Sequence, residues 1–186
     1  MAPHPGRPKA SSRETITEAA CELFLEQGYA NTSVADIARR AGVGRSSFFN
    51  YFESKSALLW GGFDERVDAA TGALADGRPV GEALTGIATG FAPDSLALAI
   101  THAETMGIAE ELERERALRQ ARLARAVAER ERTAGVDRLS ADVRAAAAAG
   151  AVLAAVWAWA DGGPGRTDLA ALLARALHAA GQDALT

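Results

Sequence analysis

The run TSVADIARRAGVGRSSFFNYFESKSAL, residues 32–58, decides the fold. It opens on Thr32 and Ser33, whose hydroxyls suit the start of a helix, and Asp36 stands three residues after Ser33. At that spacing a carboxylate can bond back to the cap while the cap bonds forward. Val34, Ile37 and Ala38 then share one face of a short helix over 34–40. The turn Ala41, Gly42, Val43 follows, with Gly42 placed for the left-handed conformation that ends a helix. A second short helix over 45–52 sets Phe48 and Phe52 four apart on its inner face. Two short helices joined across a glycine turn make a helix-turn-helix unit.

Upstream, Ile16, Ala19, Ala20, Leu23 and Phe24 form one face of a helix over 12–27, closed by Gly28. Downstream, Ser54 is placed to cap a helix reaching Ala75. Further helices are expected over 80–91, 94–106, 109–133, 140–160 and 168–180. The chain holds 44 alanines in 186 residues and no sustained alternation of β-branched residues, so the expected fold is all-α. Its organisation reads as a flexible arm over 1–11, a three-helix helix-turn-helix head over 12–53 and a six-helix body over 54–186.

Composition narrows the function. At 48% hydrophobic and 24% charged, with net charge −4, the chain has globular values rather than disordered ones. One cysteine excludes an internal disulfide and a zinc ribbon. The start, MAPHPGRPKASSRE, lacks the apolar core of a secretory leader. The apolar run 145–160 is shorter than the roughly 20 residues a membrane span needs. No membrane partner and a cytoplasmic location are therefore expected. Residues 1–60 carry seven basic and six acidic residues, and the rest thirteen and eighteen. A slightly basic head on an acidic body permits a polyanion at the head.

With Phe48 and Phe52 turned inward, the second short helix presents Arg45, Ser46, Ser47, Phe49, Asn50 and Tyr51 outward. In this motif class that helix enters the major groove. Arginine reads guanine, asparagine reads adenine or grips phosphate, and phenylalanine meets a thymine methyl. Lys55, and Thr32 with Ser33, stand at helix starts where a phosphate can be held. Arg7 and Lys9, flanked by prolines, are expected in a solvated tail, with a minor-groove role as the alternative.

The stretch 32–58, with the residues 19–29 before it, resembles the DNA-binding signature of TetR/AcrR-type bacterial transcriptional regulators. The resemblance implies a homodimer of nine-helix subunits, three helices in a DNA-binding head over 12–53 and six in a ligand-binding and dimerisation body over 54–186, with the second helix of the motif as recognition helix. It also implies DNA contacts at Arg45, Ser46, Ser47, Phe49, Asn50, Tyr51 and Lys55. Two positions depart from the pattern: Gly44 stands where Ser or Thr is common, and Phe49 where tyrosine is frequent. The run 60–64, WGGFD, resembles an actinobacterial subgroup that includes mycofactocin-type regulators.

The body offers no catalytic constellation. His102 and His178 stand apart, with no second metal ligand three or four residues away, so no metal and no cofactor are expected. Trp60, Phe63, Phe91, Thr101, His102, Thr105, Met106 and Trp157 are candidates to line a mostly apolar cavity for a small effector. The helix over 109–133 reads as a solvated, salt-bridged face. Small residues in the last two helices point to a self-complementary dimer interface through Ala148, Ala151, Val152, Ala155, Trp159, Leu169, Leu172, Leu173, Ala176 and Leu177. The expected function is a dimeric repressor that leaves a near-palindromic operator when a small apolar ligand binds. The alternatives are a DNA-binding dimer without an inducer, and a small helical carrier or enzyme with a vestigial head.

Overall fold

The computed structural model describes residues 12–92, 95–163 and 166–181. The arm expected over 1–11 lies outside them. All regular structure among the described residues is helical, in ten α-helices and one 3-10 turn.

Helix α1, Ser12–Gln27, buries the expected face, and Ile16, Ala20 and Phe24 are fully enclosed. Gly28, at φ 85°, ends it in a conformation that side chains with a Cβ avoid. Helix α2, Val34–Arg40, has the expected reciprocal cap. The Asp36 amide donates to the Ser33 hydroxyl at 3.1 Å, and the Ser33 amide to the Asp36 carboxylate at 3.0 Å. Helix α3, Arg45–Phe49, starts from Gly44 with no side-chain cap. It is shorter than expected, yet Phe52 still enters the core from the turn that follows. Helix α4, Ala57–Ala75, begins two residues later than a cap at Ser54 would place it. Ser54 accepts from the Ala57 amide at 3.0 Å, so it caps an opening turn instead of the helix proper.

Two long expected helices are broken. The segment expected over 80–91 is α5, Val80–Thr85, followed by a 3-10 turn, Gly86–Ala88. The one expected over 94–106 is α6, Ser95–Thr101, then α7, Ala103–Met106, with His102 at the break. The structure continues with α8, Ala109–Thr133, α9, Arg138–Asp161, and α10, Leu169–Ala179.

Helices α8 and α9 pack most extensively, α10 covers α9, and α4 lies against α8 and α6. The apolar core is continuous from Ile16 in the head to Leu177 in α10. Head and body are joined by the contacts of α1 with α6 and α7, and by a backbone bond from the Tyr29 amide to the Met106 carbonyl at 2.7 Å. Arg13 in α1 reaches across Gly61 in α4 to pair with Glu65 at 2.5 Å, its guanidinium 5.6 Å from the Phe52 ring centre. A Cβ at Gly61 would lie 2.6 Å from that guanidinium.

By length and composition α9 could cross a membrane, with mean hydropathy 1.5 over its most apolar window, and 56% of that window is buried within the subunit. Its helix is longer than the 145–160 run from which no span was expected, because about two further turns extend it upstream to Arg138.

Candidate nucleic-acid interface

The head's two short helices are held from below. Phe48 and Phe52 pack in the core with ring centres 5.6 Å apart, and Ile37 and Phe24 close around them. That leaves the opposite side of α3 in solvent. Arg45, Ser46 and Asn50 are exposed, Phe49 is 49% and Tyr51 46% exposed, and Ser47 is half-buried. Two large aromatic rings held half in water are unusual on a small helical unit. The Arg45 guanidinium lies 5.8 Å from the Phe49 ring centre.

The other head arginines are committed to carboxylates. Arg39 pairs with Asp36 at 2.6 Å, and Arg40 with Glu26 at 2.6 Å and Glu22 at 3.2 Å. The Ser33 hydroxyl, its amide and then Arg39 hold the Asp36 carboxyl down at about 2, and Arg40 lowers that of Glu26. Arg45 alone among the described head arginines has no such partner.

Three of the expected phosphate contacts are placed otherwise. Thr32 is only 2% exposed, and its hydroxyl donates to the Gly28 carbonyl at 2.8 Å, so it ties the α1–α2 turn instead of facing solvent. Ser33 is exposed, but its hydroxyl is bound to Asp36 at 2.5 Å. The Lys55 ammonium donates to the carbonyls of Tyr29 at 2.5 Å and Thr32 at 2.8 Å and sits 3.8 Å from the Tyr29 ring centre. Partial burial lowers its pKa, while burial raises that of Tyr29 to about 12. Lys55 therefore fastens the approach to α4 onto the α1–α2 turn. Its sequence position gave no sign of this, because both carbonyls lie more than twenty residues away.

The expected ligand cavity divides. Trp60, Phe63 and Met106 are fully buried. Trp60 packs on Phe63 at 5.9 Å and on Trp157 at 5.8 Å, and Phe91 meets Trp159 edge-on at 5.0 Å. Arg119 lies 4.1 Å from the Trp60 ring centre and Arg116 4.4 Å from that of Trp157. These aromatics fill space with each other. Thr101, His102 and Thr105 are exposed, because the break at His102 turns this face away from the core.

The expected dimer residues are mostly internal. Ala148, Ala151, Val152, Ala155, Trp159, Leu169, Leu173 and Leu177 are buried within the subunit, and Leu172 and Ala176 are half-buried against its core. The physical reason is that α9 is wedged between α8, α10 and α6, which consumes its larger side chains. The outward positions of α9 include Leu139, Val143, Ala146, Ala154 and Ala158, with Gly150 half-buried, and those of α10 include Ala170, Ala171, Ala174 and His178.

Helix α8 is not only a solvated face. Arg119 is buried and grips Asp64 of α4 through two bonds of 2.7 and 2.6 Å, and it also pairs with Glu115. Ser56 donates to Glu115 at 3.3 Å. The Glu115–Arg119 spacing is visible in the sequence, but its cross-helix partners are not.

Comparison with known proteins bears on this head. The family described as bacterial regulatory proteins, tetR family, matches residues 16–59. The chain is 39% identical over 69 residues to a Mycobacterium tuberculosis protein named for regulation of mycofactocin biosynthesis, MftR, covering 37% of this chain and 35% of that one. It is 44% identical over 46 residues to the HTH-type transcriptional repressor DhaR of Mycobacterium sp., covering 25% and 23%. The matches thus span about a third or less of these relatives' own lengths. The solved structure of NalD from Pseudomonas aeruginosa, a repressor of a multidrug efflux pump, superposes with TM-score 0.57 at 19% identity, covering 92% of this chain and 96% of that one. AmtR from Mycobacterium smegmatis superposes with TM-score 0.53 at 23% identity, covering 97% and 91%. These two likenesses concern the fold.

Proposed function

We propose that this chain, whose residues 16–59 match the family described as bacterial regulatory proteins, tetR family, is a DNA-binding transcriptional repressor and not an enzyme. It works as a homodimer released from a near-palindromic duplex by a small molecule. One observation carries the reading: Arg45 stands exposed at the start of α3 with no carboxylate to neutralise it. A free guanidinium there is suited to the O6 and N7 of guanine in the major groove. Phe49 meets a thymine methyl, Asn50 reads adenine or grips phosphate, and the Tyr51 hydroxyl and Ser46 reach the backbone. Lys55 and Thr32 tie the α1–α2 turn, and Ser33 caps α2.

Two copies meet through the outward stripe of α9, Ala146, Gly150, Ala154 and Ala158, together with Ala170, Ala171 and Ala174 of α10. Small residues permit close helix approach, and a two-fold axis makes the surface self-complementary. The two α3 helices then need to lie one helical turn of DNA apart, about 34–36 Å.

Selection of bound duplexes from a random pool, with the gene's own upstream region included, tests this reading. A near-palindromic product bound with a steep salt dependence is expected. Failure to retain any duplex in dilute buffer would sink it. The aromatic packing of Trp60, Phe63 and Trp157 supports a second reading, a DNA-binding dimer with no inducer. A thermal-shift titration separates the two, since an effector that binds the folded chain raises the melting temperature progressively with its concentration.

A further inference from the structure

With the aromatic interior filled, space for a ligand opens elsewhere. A cleft of about 570 Å³ runs between α4 and the segment formed by α5, the 3-10 turn and residues 90–92. Its size falls within the roughly 300–1,000 Å³ common for small-molecule sites. The floor is made of small residues, among them Ala69, Ala73, Ala83 and Gly86, and the Phe91 ring closes one end. Nothing in that floor hydrogen-bonds through a side chain, so it accepts a slender apolar body.

Four charged residues line the same cleft, and three of them are paired. Glu65 is held by Arg13, and Glu82 by Arg78. Arg66 is the exception: among the described residues it meets no carboxylate. Its guanidinium donates to the carbonyls of Ile87 at 3.4 Å, Thr89 at 2.5 Å and Gly90 at 2.8 Å and lies 5.0 Å from the Phe91 ring centre. Those bonds use three of the five N–H groups of an arginine and leave two, one of them on Nε. Carbonyl dipoles satisfy hydrogen bonds without cancelling the positive charge, so the cleft carries one unneutralised cation beside an apolar floor.

We infer that this cleft binds an amphiphilic organic anion, its carboxylate on Arg66 and its apolar part along the alanine floor toward Phe91. The regulatory meaning rests on the proposed repressor function. Arg66 pins residues 87–90 to α4, and Glu65 on the next position pins α1 to α4. An anion drawn to Arg66 therefore acts on the helix that Lys55 fastens to the head.

Calorimetric titration of the full chain, free of DNA, with octanoate, octanol and octylamine tests the site. Saturable octanoate binding at least tenfold tighter than either neutral or cationic analogue is expected. Arg66→Gln should abolish that preference. Ala69→Phe, at an exposed position, should block octanoate by filling the floor while circular dichroism and binding to the selected duplex stay unchanged. Equal affinity for octanol, no saturable octanoate binding, or octanoate binding untouched by Ala69→Phe would overturn the inference. Each of these outcomes leaves duplex binding by the parent chain standing, so failure of the cleft is distinguishable from failure of the repressor reading.

Discussion

The head and the body of this chain solve opposite problems with aromatic residues. In the head, Phe48 and Phe52 are buried while Phe49 and Tyr51, on the same short segment, are held in water. In the body, Trp60, Phe63, Trp157 and Trp159 are packed ring against ring, and arginines cover the indoles of Trp60 and Trp157. A segment that exposes rings costs stability and is retained for contact with a partner, whereas one that buries them is retained for cohesion. Substitution in the two regions should therefore separate folding from binding.

The largest effect belongs to the body. Phe63→Ala removes a fully enclosed ring from the centre of α4 and should cost about 3–5 kcal/mol in a denaturant titration, with duplex binding by the remaining folded fraction unaltered. Arg45→Ala is the counterpart in the head. It should leave the denaturation midpoint within error and weaken binding to the selected duplex by about 1–3 kcal/mol, roughly ten- to a hundredfold. Equal losses of stability in both variants would erase the distinction between the regions.

Next come the neighbours Ala154 and Ala155 on α9, the first exposed and the second buried. Ala154→Glu should convert the proposed dimer to monomer in sedimentation while the circular dichroism is retained. Ala155→Glu buries a charge in the subunit core and should unfold it. A dimer that survives Ala154→Glu would place the subunit contact elsewhere.

The smallest effect is in the cap of α2. Ser33→Ala should cost about 1 kcal/mol of stability at neutral pH. Since the Asp36 carboxyl is held down at about 2 in the folded state, its contribution is complete above the ordinary carboxylate value near 4. It is lost as pH falls from about 4 toward 2. The variant, lacking the hydroxyl that does most of this, should show a flatter acid limb when its stability is followed over that range.

How much of this could be read in advance follows the same division. The capping box at Ser33, the turn at Gly42 and the inner pair Phe48 and Phe52 are decided within a few residues, so spacing alone identifies α2, α3 and the exposed side of α3. The partners of Thr32 and Lys55 are carbonyls across the turn, a tertiary matter, and the sequence suggested phosphate instead. In α9 the difficulty is alanine itself. A helix with alanine on every side carries no marker for inside or outside, so the larger residues drew the dimer surface onto what is the core. The break at His102 was equally hidden, because no proline or glycine marks it, and it carried Thr101, His102 and Thr105 out to solvent.

Gly61 illustrates how a vacant position can be a moving part. The absence of a side chain gives Arg13 its seat, and the guanidinium is the loose end of a long chain that can step aside. A single methyl group at residue 61 should therefore evict the arginine without disturbing the backbone, cutting the tether between the first helix and the long connector. Changes at position 13 and at position 61 are in that sense one variable, and the hold of α1 on α4 can be tuned by the smallest change that protein chemistry allows.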